Sequence, residues 1–250
     1  MAQANKVSIP ATDHPNDIAA DRLHMFANQD KDLFSNSWYS DPMIMGKYPE
    51  DGVNLFAADM PRIYQGDMED INQPLDYFGT NIYSGVHVRA AKDAPFEVVE
   101  KGDLPLTQMG WPITPDALYW GPTFLHDRYQ LPIVVTENGM ANDDSLSDGK
   151  VYDRERIEYL YRYLGEYARA IEDGVPALGY FLWSLMDNFE WAEGYSKRFG
   201  VVHVDYKSQQ RTPKYSAHWY KALIASHKAG MLKDIDVEVE TDPVLAVDIA

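Results

Sequence analysis

The stretch Leu131-Pro132-Ile133-Val134-Val135-Thr136-Glu137-Asn138-Gly139 lies near the middle of the 250-residue sequence. Its three consecutive β-branched residues are typical of a short strand that is buried on both faces, as in a parallel sheet. Asn138-Gly139 indicates a turn, so Glu137 is predicted to lie where the strand becomes a loop, at the edge of an α/β sheet where ligands bind. On these residues alone, Glu137 is either a functional carboxylate or a solvated strand end.

A second stretch, Ala177-Leu178-Gly179-Tyr180-Phe181-Leu182-Trp183, is predicted to be the final strand, and Glu190-Trp191 follows in the loop beyond it. If the sheet is parallel, Trp183, Glu190 and Trp191 lie near Glu137. Indole rings stack on the apolar C–H faces of a pyranose, and carboxylates accept hydrogen bonds from its hydroxyls. These residue types together point to carbohydrate recognition.

A third predicted strand, Asp76–Ser84, is rich in β-branched and aromatic residues. Asn81 and Tyr83 are two positions apart, so both side chains lie on the same face and are able to point into a shared site. A packed core tyrosine with an incidental hydrogen bond is the alternative for Tyr83.

Two of these segments resemble family 1 of the glycoside hydrolases, the β-glucosidase family. Thr136-Glu137-Asn138-Gly139 is similar to the family's nucleophile motif, and the stretch from Tyr180 to Tyr195 is similar to its glycone-binding segment. The resemblance extends from about Ile9 to Lys221. It implies an α/β fold, a partial (β/α)8 TIM barrel that corresponds to the C-terminal half (about strands 5/6 to 8), in a single domain spanning residues 1–250.

The resemblance also implies roles for individual residues. Glu137 would be the nucleophile of a retaining hydrolase, and the Tyr83 hydroxyl would donate a hydrogen bond to it. A glutamate that matches Glu190 binds the sugar's 4- and 6-hydroxyls, which implies β-glucosides or β-galactosides with an unphosphorylated glycone. Trp111 resembles an aromatic residue on the aglycone side, although a core tryptophan fits nearly as well. The substrate-binding residues implied in this way are Asn81, Trp111, Trp183, Glu190, Trp191 and Phe199.

The resemblance accounts for only one of the two carboxylates that the retaining mechanism uses. That mechanism needs a second carboxylate about 5 Å from the nucleophile as general acid and base. In the family this group comes from an Asn-Glu-Pro segment in the N-terminal half, and the 250 residues contain no Asn-Glu-Pro. The chain is therefore expected to need a complementing N-terminal half-barrel chain. The alternatives are an inert, truncated sugar-binding half-barrel and a structural fragment that self-associates into a homo-oligomer.

Composition excludes several classes of partner and cofactor. The formal net charge of −17, from 39 acidic and 22 basic residues, argues against nucleic acid and against an anionic membrane. The absence of cysteine excludes disulfides and thiolate metal sites. None of the seven histidines has a partner at metal-ligand spacing, so no metal or cofactor is expected. With neither a signal peptide nor an apolar membrane span, a soluble, cytoplasmic protein is expected.

The remaining elements are predicted to be scaffold. Gly85–Glu100 is predicted to be a hairpin, and a helix is expected after the N-cap residue Asp153, with an apolar face that includes Tyr161 and Ile171. The polar segment 142–149 is expected to be a solvated loop. Residues 1–6 are expected to be a tail, and residues 230–250 an unmatched acidic tail that forms an edge strand or stays disordered.

Overall fold

The computed structural model describes residues 2–228 of the chain, so the acidic tail predicted at 230–250 lies outside the described residues. The described helices include none that is long and apolar enough to cross a membrane. The strands of this range are β1 (Ala2–Ala4), β2 (Val7–Pro10), β3 (Phe78–Asn81), β4 (Gly85–Arg89), β5 (Glu97–Val99), β6 (Ile133–Asn138), β7 (Ala177–Leu182), β8 (Val202–Val204) and β9 (Arg211–Pro213). The α-helices are α1 (Pro15–Phe26), α2 (Asn36–Met45), α3 (Glu50–Phe56), α4 (Asp67–Ile71), α5 (Ala117–Tyr129), α6 (Arg154–Glu172) and α7 (Tyr215–Lys228).

The central sheet is parallel throughout and has the strand order β1-β3-β6-β7. The predicted strand around Val134 is β6, in the interior of this sheet. Its apolar residues are buried because Ile133 and Val135 pack into the cores formed with α5, and Val135 also meets side chains of α6. Four adjacent parallel strands with helices on one face are consistent with part of a (β/α)8 barrel.

The first strand of the sheet corrects the predicted N-terminal tail. Ala2–Ala4 lies parallel to β3, and the Asn5 amide continues the pairing by donating to the Asn81 carbonyl at 3.1 Å. Three small or polar residues carry no alternation of apolar and polar side chains, so their sequence gives no strand signal. The pairing with a distant strand creates this element.

A smaller sheet flanks the first, with the order β2-β4-β5. The hairpin predicted at Gly85–Glu100 is confirmed, since β4 and β5 are antiparallel and His87 pairs with Val99. Val7–Pro10 is also a strand, but it runs parallel to β4 and does not join the central sheet. A third pair, β8 with β9, forms the hairpin before the last helix.

The long helix α6 begins directly after Asp153, as predicted, and covers the central sheet. Its buried face differs from the prediction, because Tyr161 and Ile171 are each 46% exposed. Other tyrosines of the helix point inward, and their hydroxyls form hydrogen bonds with polar groups near the ends of the sheet strands. The buried residues of the helix are Arg156, Ile157, Tyr159, Leu160, Tyr163, Tyr167 and Ala170.

Helix α1 holds a buried carboxylate without a hydrogen-bond partner among the described residues. Asp21 is 0% exposed, and neither of its carboxylate oxygens is bonded. Burial raises the pKa of Asp21 to about 8, because a desolvated site penalises the charged form.

The stability of the folded chain is expected to fall as the pH rises, because of Asp21. A carboxyl group whose pKa is raised by folding stabilises fully below its unfolded pKa, near 4, and this contribution is lost as the pH rises through about 8. The slope approaches about 1.4 kcal/mol per pH unit, which gives up to about 4 kcal/mol between about pH 5 and pH 8. Urea denaturation at these two pH values measures it.

Asp21→Asn should remove this pH dependence, whereas Asn at the exposed position Asp13 should leave it in place. The free energy of unfolding of wild type and Asp21→Asn should therefore diverge as the pH rises. Parallel pH profiles for the two proteins would show that Asp21 is ionised in the folded state.

The two outer strands of the central sheet are paired on one side only within the described residues. They are β1 and β7. On β7, Leu178 is 64% exposed and Phe181 is 62% exposed. Unpaired strand edges with apolar side chains are a template for pairing with another chain.

Candidate active site

Glu137 is the second-to-last residue of β6 and is half-buried. The hydroxyl of Tyr83, two residues beyond the end of β3, donates a hydrogen bond to Glu137 Oε2 at 2.8 Å. Burial, followed by the bond to Glu137, raises the pKa of Tyr83 far above its ordinary value, so the hydroxyl stays neutral and acts as a donor. The structure therefore brings these two predicted site residues together at the carboxyl edge of the sheet.

Two tyrosines of α6 hold Tyr83 in place. Their hydroxyls donate to the Tyr83 carbonyl, from Tyr159 at 3.1 Å and from Tyr163 at 3.0 Å, and their rings stack with centroids 4.0 Å apart. This support was not predicted from the sequence. The signal was present, because tyrosines four positions apart lie on the same face of a helix.

Asn138 joins three neighbouring strand ends. It is buried and is the last residue of β6, so it belongs to the strand and not to the predicted turn. Its amide donates to the Ile82 carbonyl at 2.8 Å and to the Tyr159 hydroxyl at 3.0 Å, and its side-chain oxygen accepts from the Tyr180 hydroxyl at 2.7 Å. These bonds fix the backbone next to Glu137.

Gly139 is required by a close backbone approach. A Cβ atom at this position would lie 1.8 Å from the carbonyl oxygen of Trp183, the residue that follows β7. The Trp183 amide donates to the Asn138 carbonyl at 2.8 Å. The glycine of the motif therefore allows the backbones after β6 and β7 to meet.

Asn81 is the last residue of β3 and is half-buried beside the site. Its side-chain oxygen accepts a hydrogen bond from the Thr136 hydroxyl at 2.6 Å. An irregularity between Thr80 and Asn81 shifts the register, so that Asn81 pairs with Glu137. The structure thus places Asn81 next to Glu137 through this register shift, and not through the regular period of two.

Glu190 precedes a short 3-10 helix, Trp191–Glu193, and is half-buried. Its pKa is raised, mainly by burial; the Trp183 indole opposes the rise, and the charges of Glu137 and Glu193 add to it. Trp191 differs from the other predicted site residues, because its side chain is 80% exposed.

Three aromatic rings form a cluster beside the Tyr83 hydroxyl. The Tyr83 ring centroid is 5.2 Å from that of Trp111 and 6.2 Å from that of Phe199, and the last two are 6.0 Å apart. Trp111 is half-buried and borders the site. Phe199 is 2% exposed, so it supports the other two rings from behind and does not present an open face of its own.

The described residues contain no group of three or more histidine, aspartate or glutamate side chains arranged to hold a metal ion. The chemistry available at the carboxyl edge is that of a half-buried carboxylate, a neutral phenol and aromatic rings. Such a site is suited to a nucleophilic carboxylate acting on a sugar.

A parallel sheet with this carboxylate and these rings at its carboxyl edge is consistent with part of a (β/α)8-barrel glycoside hydrolase. The sequence profile of Glycosyl hydrolase family 1 matches residues 1–229. The chain belongs to this family. The match is longer than the expected span from Ile9 to Lys221 and includes β1.

The sequence identity and the coverage have been determined for several members of the family. Beta-glucosidase A of Thermotoga maritima is 45% identical over 223 residues, which cover 87% of this chain and 48% of the relative. A bifunctional beta-D-glucosidase/beta-D-fucosidase of Bifidobacterium breve is 43% identical over 220 residues, or 79% of this chain and 48% of the relative. The solved Thermotoga maritima beta-glucosidase in complex with glucoimidazole is 42% identical, with a TM-score of 0.74 over 90% of this chain and 50% of that one. The chain spans about half the length of these relatives.

Proposed function

We propose that the chain is the nucleophile-bearing and glycone-binding half of a retaining β-glucosidase. The observation that carries this proposal is the 2.8 Å hydrogen bond from Tyr83 to Glu137 at the carboxyl edge of the parallel sheet. Family membership supports it, because the similar proteins bear the names of β-glucosidases.

The proposed reaction begins when Glu137 attacks the anomeric carbon. The bond to the leaving oxygen breaks as a general acid protonates that oxygen, and a covalent glycosyl ester forms on Glu137. The former general acid, now deprotonated, then acts as base and removes a proton from water. This water attacks the anomeric carbon and releases the Glu137 carboxylate. Tyr83 keeps its proton throughout, so its role is to orient the attacking carboxylate and to accommodate its changing charge.

The general acid is proposed to come from a complementing N-terminal half-barrel. The 250 residues contain no Asn-Glu-Pro, and Glu190, the nearby carboxylate, is proposed to bind hydroxyls. The edges of β1 and β7 would pair with the strands of that second half. Eight parallel strands would then close the barrel.

The proposed substrates are β-glucosides or β-galactosides with an unphosphorylated glycone. The half-buried carboxylate of Glu190 would accept hydrogen bonds from sugar hydroxyls and would repel a phosphate. Trp183 would stack on the sugar ring. Asn81 and Trp111, which border Glu137 and Tyr83, would complete the site.

Glu190→Gln is expected to weaken the binding of a glucose-shaped iminosugar by roughly 1–3 kcal/mol, the range for a lost charge-assisted hydrogen bond. The fold should be almost unaffected, because the side chain is only half-buried. Titration calorimetry near pH 7 measures the affinity, for the chain alone and after mixing with an N-terminal half-barrel of a family 1 enzyme.

Glu193→Gln is the matched control, since Glu193 ends the short helix that follows Glu190 and is exposed. Its affinity should equal that of the wild type. Equal affinities for all three proteins would mean that Glu190 is a solvated loop residue. A wild-type chain without sugar affinity in either setting would exclude the proposed function.

A further inference from the structure

The loops at the carboxyl edge are joined by a group of charged side chains, buried except for the half-buried Arg198, which we call the ion network: Asp144, Asp153, Arg156, Asp187, Arg198 and Lys214. We infer that Lys214 and Asp187 are positioning residues, which hold the segment 184–204, with Glu190 on it, against the loop that follows Glu137. The inference rests on the proposed function in one respect, the sugar-binding role of Glu190. The contacts of Lys214 and Asp187 do not depend on that role.

Lys214 links the loops that follow two strands of the central sheet. It is 0% exposed and lies between β9 and α7. Its ammonium group contacts Asp144, in the loop after β6, and lies 2.8 Å from Asp187 Oδ1, in the segment after β7. Asp144 is therefore buried and paired, unlike Asp143 and residues 145–149, which are exposed as expected of the solvated loop predicted at 142–149.

Asp187 closes the base of the segment that carries Glu190. Its Oδ1 accepts from the Gly200 amide at 3.1 Å, and its Oδ2 accepts from the Val204 amide at 3.3 Å and pairs with the Arg198 guanidinium. A Cβ atom on Gly200 would lie 2.1 Å from the Asp187 amide nitrogen, so the two backbones are in direct contact. The residues between them, Glu190 included, form a loop with a fixed base.

Arg156 connects the ion network to the helix that supports Tyr83 and to the backbone beyond Glu137. From α6 it pairs with Asp153 Oδ2 at 2.9 Å and with Asp144. Its guanidinium also donates to the carbonyl of Met140, three residues after Glu137, and to the carbonyl of Arg198 at 3.2 Å. One buried side chain thus contacts both the β6 loop and the segment 184–204.

The charges of the ion network balance, since three carboxylates face three cations. Buried ion pairs are often replaceable by apolar residues without loss of stability, so stability alone does not account for such a group. These charges form directed bonds to backbone groups of the segment, and they do not touch Glu137. They act on the site through the position of the loop.

The test is hydrogen–deuterium exchange on the full chain carrying Asp187→Asn together with Lys214→Met. This pair of changes removes one anion and one cation, so the remaining buried charges still balance. Amides of residues 184–204 are expected to exchange roughly tenfold faster, while amides of α5 and β6 keep their wild-type rates. Glycone affinity should fall by about tenfold, as it does when groups that orient a binding residue are removed.

The matched control is Asp41→Asn with Arg128→Met, which removes a two-point ion pair (3.1 and 2.6 Å) between α2 and α5. It should leave exchange in 184–204 unchanged. The inference would be overturned if residues 184–204 exchanged at the wild-type rate in the Asp187→Asn, Lys214→Met variant. An equal increase of exchange there in both double variants would also overturn it. If the double variant does not fold, Asp187→Asn alone gives the same comparison with an isosteric side chain. A wild type without sugar affinity would refute the proposed function, while the exchange rates would still decide the positioning role.

Discussion

Glu137→Ala is expected to lower β-glucoside hydrolysis by at least about 10⁴-fold in the chain paired with an N-terminal half-barrel, the scale of loss when an enzymatic nucleophile is removed. Without this carboxylate the proposed glycosyl ester would not form, although the proposed sugar-binding residues Glu190 and Trp183 would remain. Initial rates with an aryl β-glucoside measure the effect. A 2-deoxy-2-fluoro glucoside with a good leaving group should add one sugar mass to the Glu137 peptide of the wild type.

Glu193→Ala is the control for this loss, because it also removes a carboxylate from the loops at the carboxyl edge, but an exposed one. It should retain nearly full turnover. A sugar label on Glu190 or Glu193, with Glu137 unmodified, would assign the nucleophile to the other loop.

The chain by itself is expected to self-associate and to hydrolyse β-glucosides negligibly. Its outer strands β1 and β7 are paired on one side only, and β7 exposes Leu178 and Phe181. At about 25 cal/mol per Å², an apolar patch of several hundred Å² leaves on the order of 10 kcal/mol unrealised, which is comparable to the stability of a domain. Association of two copies would bring two Glu137 carboxylates together and supply no general acid.

Sedimentation velocity and an aryl β-glucoside assay, each with and without an N-terminal half-barrel, test this expectation. Mixing should replace the self-associated form by a mixed complex and raise turnover by at least about 100-fold, the lower end for a positioned acid and base. A compact monomer that hydrolyses the substrate alone, and loses the activity in Glu137→Ala, would show that the first strands and helices provide more than scaffold.

Sequence reasoning was most successful where one local pattern determines the structure. The β-branched run before Glu137 predicts β6, because such residues fit a strand with two buried faces. For β6 the geometry of a single strand carries the inference. The spacing of Asn81 and Tyr83 predicts that they share a strand face, but Tyr83 lies two residues beyond β3, so strand periodicity does not account for its bond to Glu137.

The features that sequence reasoning missed depend on distant partners. Ala2–Ala4 becomes a strand only because β3 offers an edge. Asp144 resembles a solvated loop residue until Arg156 and Lys214, from other elements, bury it. The spacing of the α6 tyrosines does show that they share a helix face, but the carbonyl that Tyr159 and Tyr163 bind lies on a remote segment. Local pattern contains no information about such pairings, since they form when the tertiary structure brings remote segments together.

The bond between Tyr83 and Glu137 joins β6 to the segment just beyond its neighbour β3, so a single chain holds the proposed nucleophile already oriented. In an enzyme assembled from two chains, only the proton donor would have to arrive. With such a pair, a fluorogenic glucoside would be hydrolysed only after both chains had associated, so the fluorescence would report their association. Because the oriented carboxylate needs no rearrangement on contact, the rate of the response would be set by how fast the self-associated chains separate and the barrel closes.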